Sequence, residues 1–277
     1  MKGVWLEDLT WPEARQRFDA GALVVVPVGA AAKAHGSHLP LKTDALTARA
    51  LAQRLLERLP VVAAPVLTLG FYPAFEKFAG SQSLSAETFG AVLDDVLGTF
   101  AAQGVTRMAV LNTGVSTEKP IDAATQARPN VLVLHMRLLG QAAEPLIEHP
   151  EGGHADERET SVMLALDPRS VRMDRLAPAR PFELSAATGD PTHATAFKGE
   201  RLLAADEANP RGHHEDADLV EFHGKVFREL LLAGAAGHVD WGWTTAGAVV
   251  RGREEVMAEG AEERGLGAGR SLDIRAV

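Results

Sequence analysis

Two histidines and an aspartate lie within ten residues of one another in the sequence, at His35, His38 and Asp44. They follow the apolar run Val24 to Val28, a pattern typical of a buried strand. Zinc, manganese and iron all accept imidazole and carboxylate ligands, and an aspartate at the start of a helix can bridge two ions. The segment therefore predicts a metal site that could activate water for hydrolysis. The same spacing also fits a polar turn followed by a helix with an N-terminal carboxylate.

A site of this kind needs a scaffold that brings the ends of several strands together. Short runs rich in β-branched residues alternate with helical segments, which favours an α/β fold: a three-layer sandwich with helices flanking a mostly parallel central sheet. Ligands of such sheets lie outside the carboxyl ends of the strands. The four predicted strands are Val24 to Val28, Val61 to Leu67, Met108 to Leu111 and Val131 to Leu134.

Apolar residues at helical spacing predict three helices, over residues 44–59, 85–104 and 216–232. In the first of these, Asp44 lies in the opening turn. The polar stretch over residues 177–211 is predicted to be rich in loops and to wrap over a site or a subunit contact. We predict a single domain over residues 1–277, with a loosely held tail over 264–277.

Composition limits the possible functions. The net charge is −9, so there is no basic field to attract nucleic acid or a membrane surface, and neither is expected as a partner. The chain has no cysteine, which excludes thiolate metal sites and cysteine nucleophiles and leaves His, Asp and Glu as ligands. The N-terminus lacks the apolar run of a signal peptide, so a cytoplasmic location is expected.

Four segments, in order along the chain, resemble the creatininase (creatinine amidohydrolase) family. Pro27 to Asp44 resembles the signature P-x-G-S-x-E-x-H-G-x-H-L-P-x-x-T-D. Phe78 to Leu84 resembles FPGT-x-SL, and His154 to Ser161 resembles HAGE-x-ETS. Gly189 to Gly199 resembles the GDP-x-x-AT-x-x-KG segment near the family's end. Chance would not place these motifs in the family's order.

The resemblance implies a metal-dependent hydrolase of an amide or related C–N bond. In the family, two adjacent divalent ions, commonly zinc or manganese, activate water, and the protein is a homo-oligomer, usually a hexamer. His35 and Asp44 match metal ligands, with Asp44 in the bridging position. Glu159 matches a glutamate that acts as a ligand or as an acid/base, and His154 matches a candidate proton shuttle.

A small-molecule amide is the expected substrate. His38 lies in the first family segment, where it could bind substrate or add a ligand to the metal site. His193 lies in the fourth segment, and a loop over the pocket would let it reach substrate; a surface position is the alternative.

Two ligand positions of the family differ in this chain. Lys33 stands where the family has a ligand glutamate, in a loop with one extra residue, and Gly114 stands where the family has a ligand histidine. A complete dinuclear centre is therefore not expected. His35, Asp44 and Glu159 remain, and they could hold one zinc, manganese or iron ion or none. Creatinine is not expected as the substrate, because the changed residues belong to the site that defines that activity.

Lys33 leaves several interpretations open. Its ammonium could occupy the position of the missing cation, neutralising Asp44 or polarising a carbonyl group. If it lost its proton, Lys33 could act as a base or nucleophile beside His154 without a metal. The enlarged loop favours a third interpretation, in which Lys33 points to solvent. The chain could also be a family member without catalysis that binds a small molecule or a partner subunit.

Overall fold

The computed structural model describes residues 2–136 and 141–203. The predicted helix over residues 216–232 and the predicted tail over 264–277 lie outside the described residues.

The described residues contain one sheet of five parallel strands in the order β1-β3-β2-β4-β5. Three of the predicted strands are confirmed closely, and the second is shorter than predicted. The edge strand β1 was missed, because two residues carry no periodic pattern. The strands are β1 (Val4–Trp5), β2 (Val24–Val28), β3 (Val62–Ala63), β4 (Met108–Asn112) and β5 (Val131–His135).

Seven α-helices lie in the described residues, and none of them is long and apolar enough to cross a membrane. Asp44 lies in the first turn of its helix, as predicted. The predicted cap at Ser85 is confirmed, since its side chain accepts the backbone N–H of Thr88. The helices are α1 (Trp11–Asp19), α2 (Thr43–Arg58), α3 (Ala86–Ala102), α4 (Glu118–Thr125), α5 (Glu157–Leu166), α6 (Phe182–Ser185) and α7 (Ala196–Leu203).

Strands β2, β4 and β5 are buried along their whole length, because helices cover both faces of the sheet. Val25 points to the face covered by α2, where it packs with Leu51 and Leu55. Val24 and Val26 point to the opposite face, covered by α3. Alternate side chains of one strand thus enter two separate hydrophobic cores, which confirms the three-layer arrangement.

The segment over residues 177–211, predicted to be rich in loops, contains the short helix α6 and, over residues 196–203, helix α7; its last residues, 204–211, lie outside the described residues. Helix α7 packs closely on α5: a Cβ atom at Gly199 would lie 1.9 Å from the carbonyl oxygen of Ser161. Residues before α7 lie over the loop that carries His35 and His38, as expected. There, Gly36 N–H donates to the carbonyl of Ala186 over 2.8 Å.

Candidate active site

The first turn of α2 is fixed by the carboxyl ends of β2 and β4. Gly29, which follows β2, lies so close to α2 that a Cβ atom there would be 2.4 Å from the carbonyl oxygen of Asp44. The hydroxyl of Thr113, which follows β4, lies 3.1 Å from the carbonyl oxygen of Val28 and 3.0 Å from that of Asp44. These contacts place the side chain of Asp44 at the edge of the sheet where ligands bind.

The carboxylate of Asp44 has a cationic or imidazole partner on each oxygen. Lys33 Nζ lies 2.7 Å from Oδ2, and His35 Nε2 lies 2.9 Å from Oδ1. Lys33 is only 4% exposed, so the interpretation that it points to solvent is wrong. Burial by itself would raise the pKa of Asp44, but Lys33 and His35 together bring that pKa well below its ordinary value.

His35 has an oxygen atom beside each ring nitrogen. Nδ1 lies 2.8 Å from the carbonyl oxygen of Lys33, which can only accept, so Nδ1 carries a proton. Nε2 faces the carboxylate of Asp44. A neutral imidazole has one N–H, so a positive charge, either a second ring proton or a metal ion, fits between Nε2 and Asp44. A backbone carbonyl on the other nitrogen is a common partner of a metal-bound histidine.

The N-terminus of α5 supplies the other side of the site. His154 Nε2 lies 2.8 Å from the carbonyl oxygen of Ala34 and donates to it, while its Nδ1 lies 3.5 Å from Oε2 of Glu159. The same Oε2 accepts the backbone N–H of Ala155. Burial would raise the pKa of Glu159, but His154 and His35 outweigh burial and lower that pKa. Glu159 is therefore ionised at neutral pH.

One divalent ion fits this donor set. One ligand atom from each of His35, His154 and Glu159 lies within 4.8 Å of the others. Atoms bound to one ion at about 2.1 Å are separated by about 3 to 4 Å, so small side-chain movements would complete such a site. His154 was predicted to transfer a proton, and its position beside His35 and Glu159 makes it a candidate ligand as well. Asp44 adjoins this group through its contact with His35.

Within the described residues, positions 33 and 114 offer no ligand for a second ion. A Cβ atom at Gly114 would lie 3.0 Å from Oγ1 of Thr117 and 4.0 Å from Oδ2 of Asp44, so position 114 lies near the carboxylate oxygen that Lys33 contacts. At these two positions the chain offers an ammonium group and a glycine, and neither is a metal ligand.

His193 lies apart from the candidate ligands, whereas His38 is close enough that the charges of Glu159, His35 and His154 act on its pKa. His38 is buried, and its Nε2 lies 2.8 Å from Oγ1 of Thr160. Burial is the main reason that the pKa of His38 falls to about 4. His193 has a half-exposed side chain, with Nδ1 2.8 Å from Oε2 of Glu148. The contacts found in the described residues do not join His193 to His35 or Glu159, and substrate binding by either histidine stays a prediction.

A cavity of about 300 Å³ opens beside Asp44 and Glu159. One wall is the end of β4 with the loop that follows it, from Asn112 to Val115, and another is formed by α5 together with Pro150, Gly152 and Gly153. Arg158 also lines the cavity, and its guanidinium group binds the carboxylates of Glu144 and Asp156. The volume is that of a small-ligand site.

Two supporting hydrogen-bond networks were not predicted. His135 lies 3.0 Å from the amide of Asn112 and 3.1 Å from Asp122, and Asn112 in turn accepts hydrogen bonds from the backbone N–H of Gly114 and the hydroxyl of Thr117. This chain of contacts holds the loop after β4. No sequence pattern marks His135, because its partners come from separate elements.

The second network holds the chain that leads into His154. Glu157 accepts backbone N–H groups of Glu148 and His149 and pairs with the ammonium of Lys198 on α7. Glu157 and Lys198 both lie in family-like segments, so the resemblance was the available signal for them.

Comparison with known proteins gives one family. The model of the family described as creatinine amidohydrolase matches residues 7–206. Creatinine amidohydrolase from Pseudomonas putida is 29% identical over 200 residues, which cover 63% of this chain and 76% of that protein. The mycofactocin precursor peptide peptidase of Mycobacterium tuberculosis strain H37Rv is 31% identical over 211 residues, covering 66% and 80%.

Solved structures agree with this result. A crystal structure of creatinine amidohydrolase (creatininase) has a TM-score of 0.65 at 24% identity, covering 83% of this chain and 99% of that one. A mutant creatininase of the Zn–Zn type has a TM-score of 0.64 at 25% identity, covering 73% and 93%. A creatininase structure with manganese in its name has a TM-score of 0.63, also at 25% identity and with the same coverage.

Proposed function

The chain belongs to the creatininase (creatinine amidohydrolase) family, and on that premise we propose that it hydrolyses a C–N bond of a small-molecule amide with one divalent metal ion. The observation that carries this proposal is the convergence of His35, His154 and Glu159 beside a cavity that Asp44 and Glu159 line. Such a set of imidazole and carboxylate groups is the donor chemistry that zinc, manganese and iron accept.

The ion would be held by His35, Asp44 and Glu159, because the one free nitrogen of His154, Nδ1, is needed to move a proton. When bound, such an ion supplies Lewis-acid chemistry and makes water a nucleophile near neutral pH. The carbonyl oxygens of Lys33 and Ala34 orient the two histidine rings by accepting from one nitrogen of each. The opposite nitrogen of each ring is thereby turned toward the carboxylates.

Glu159 and His154 would move the proton. One oxygen of Glu159 is held by the backbone of Ala155, and the described residues give its other oxygen, Oε1, no hydrogen-bond partner. This carboxylate lines the cavity, where it can accept a proton from the attacking water. His154 Nδ1 lies 3.5 Å away and can take the proton onward to the leaving nitrogen.

In this proposal, Lys33 acts neither as a base nor as a nucleophile. Its ammonium group is held by the carboxylate of Asp44 at 2.7 Å, and a protonated amine has no lone pair with which to attack a carbonyl. We therefore assign Lys33 a fixed positive charge.

The substrate class follows from the cavity and from the changed ligands. A cavity of about 300 Å³ suits a small amide or the end of a short peptide. Creatinine is not proposed, because Lys33 and Gly114 replace two ligands of the family's centre.

Small-molecule binding without catalysis is the second candidate. The Lys33–Asp44 ion pair favours it, because that pair occupies an oxygen that a bridging carboxylate would give to a second ion. The two candidates differ in whether turnover accompanies binding.

Turnover of a panel of small amides tests the proposal. Zinc- or manganese-loaded protein is incubated with lactams, short peptides and creatinine, with and without a chelator, and amine release is measured. We expect chelator-sensitive hydrolysis of at least one non-creatinine amide, reduced by about 10²-fold or more in Glu159→Gln.

The matched control is Glu151→Gln, whose side chain is 76% exposed and which should keep full activity. Hydrolysis that survives both the chelator and Glu159→Gln would contradict the proposal. Binding without turnover across the panel would favour the second candidate.

A further inference from the structure

We infer that Lys33 replaces a second metal ion: its ammonium group occupies the cation position between Asp44 and position 114, so that the chain holds at most one divalent ion. This inference deepens the proposed function and rests on it for the first ion. It also explains how two ligand positions can change without leaving a buried carboxylate uncompensated.

The geometry converges on a single atom. Lys33 Nζ lies 2.7 Å from Oδ2 of Asp44. A Cβ atom at position 114 would lie 4.0 Å from the same oxygen, behind the nearer Oγ1 of Thr117 at 3.0 Å, so a side chain there would lie beside that oxygen. Lys33 and Gly114 are the two positions where this chain departs from the ligands of the family that it resembles. Both changes therefore fall on one side of Asp44, and the other side keeps His35.

The ammonium group is held in place by its surroundings. The backbone N–H of Lys33 donates to the carbonyl of Leu41 over 3.1 Å, and the next residue, Ala34, donates to Oγ of Ser81 over 3.0 Å. The ring of Phe75 lies 5.2 Å from Nζ, within the range of a cation–π contact. A side chain held in this way does not leave its carboxylate freely when an ion approaches.

Charge explains why the ammonium group excludes an ion. A buried carboxylate needs a compensating cation, and Lys33 supplies one positive charge on the Oδ2 side of Asp44. A divalent ion on the same oxygen would lie within a few ångströms of this ammonium group, where like charges repel strongly because water is excluded. Removing the ammonium and restoring the two ligands should therefore open a second site.

The experiment restores the family's ligands. Wild type and the double variant Lys33→Glu/Gly114→His are saturated with zinc and desalted, and zinc per chain is measured by elemental analysis. We expect the double variant to hold one more ion per chain than wild type. The control is Lys42→Glu, which makes the same charge change at an exposed side chain and should gain none.

The outcomes separate this inference from the proposed function. Two ions in wild type, or a folded double variant with no gain, would overturn the inference. No ion in wild type together with a gain in the double variant would support the replacement by Lys33 and refute the metal-dependent reaction.

A second variant covers the case in which the double variant fails to fold. Lys33→Met removes the charge and shortens the side chain by one atom, which leaves Oδ2 of Asp44 open to an added cation. Zinc should then raise the Tm of Lys33→Met by several degrees more than it raises the Tm of wild type. An equal zinc response in the two proteins would overturn the inference.

Discussion

The ammonium group of Lys33 lies 2.7 Å from Oδ2 of Asp44, and both side chains are about 95% buried. A buried ion pair adds little to stability by itself, but removing one partner leaves an uncompensated charge. In this protein, the same carboxylate also faces the imidazole of His35. Stability and the proposed metal binding would therefore be coupled at Asp44.

Loss of the Lys33 charge is expected to destabilise the fold. Lys33→Met should lower the free energy of unfolding in metal-free protein by about 3 kcal/mol, because Asp44 would keep only His35 as its partner. Urea denaturation measures this change. Lys42→Met is the control: its side chain is 53% exposed and lies 4.0 Å from Asp167, so a change below about 1 kcal/mol is expected. Equal effects of the two substitutions would contradict the account.

The buried ion pair between Glu157 and Lys198 should make stability depend on pH. Burial would raise the pKa of Glu157, but Lys198 and the backbone N–H groups of His149 and Glu148 outweigh burial and lower it. A carboxyl group whose pKa is lowered by folding contributes stability above its ordinary pKa of 4.5. That contribution is lost as the pH falls below this value.

The variant Glu157→Gln isolates this contribution. The difference in unfolding free energy between wild type and Glu157→Gln should be constant from pH 7 to about 5 and shrink at lower pH. Glu151→Gln, at an exposed side chain, should follow the wild-type profile. A difference that stays constant down to pH 3 would show that Glu157 does not titrate as the structure implies.

Replacing glycine by alanine should change stability in opposite directions at two helical positions. A Cβ atom at Gly199 would lie 1.9 Å from the carbonyl oxygen of Ser161, so Gly199→Ala must push α7 away from α5 and cost about 3 kcal/mol. A Cβ atom at Gly90 in α3 would meet nothing within 4 Å, and Gly90→Ala should stabilise by about 1 kcal/mol. Thermal denaturation of both variants checks the signs, and a stabilising Gly199→Ala would contradict the close packing of α7 on α5.

The hydroxyl of Tyr72 is buried, with no hydrogen-bond partner of good geometry in the described residues. Burial raises the pKa of this phenol and the negative charge of Asp44 adds to that effect, while a poorly aligned contact with the backbone of Gly70 opposes it. Because removing an unpaired buried hydroxyl relieves a desolvation cost, Tyr72→Phe should leave the unfolding free energy unchanged or raise it by about 1 kcal/mol. Tyr72→Ala, which removes the ring as well, should cost about 3 kcal/mol. A large loss of stability in Tyr72→Phe would mean that the hydroxyl has a partner.

Much of the fold could be predicted from hydrophobic patterns. Strand β2 and helix α3 carry strong periodicity and clear ends, so both appear nearly where they were predicted. The pattern failed where tertiary packing decides the structure. Strand β1 has only two residues, too few for a periodic pattern. Helix α7 packs on α5 at Gly199, a contact between distant residues that hydrophobic periodicity does not reveal.

The candidate site could be predicted only in part, and the reason is again long-range contact. His35, Asp44 and Glu159 were identified from motifs, and the structure brings them to one edge of the sheet. The orientation of Lys33 depends on Leu41, Ser81 and Phe75, whose positions the local sequence does not reveal, and solvent exposure was therefore the wrong expectation.

His35 and Glu159 are proposed to hold one divalent ion. The direct test is elemental analysis of purified protein before and after chelation, beside His35→Ala and Glu159→Gln variants that are shown to be folded. We predict about one zinc, manganese or iron ion per chain in wild type, removed by the chelator and absent from both variants. Wild-type protein that holds no ion after metal loading, or variants that keep the wild-type content, would contradict the account.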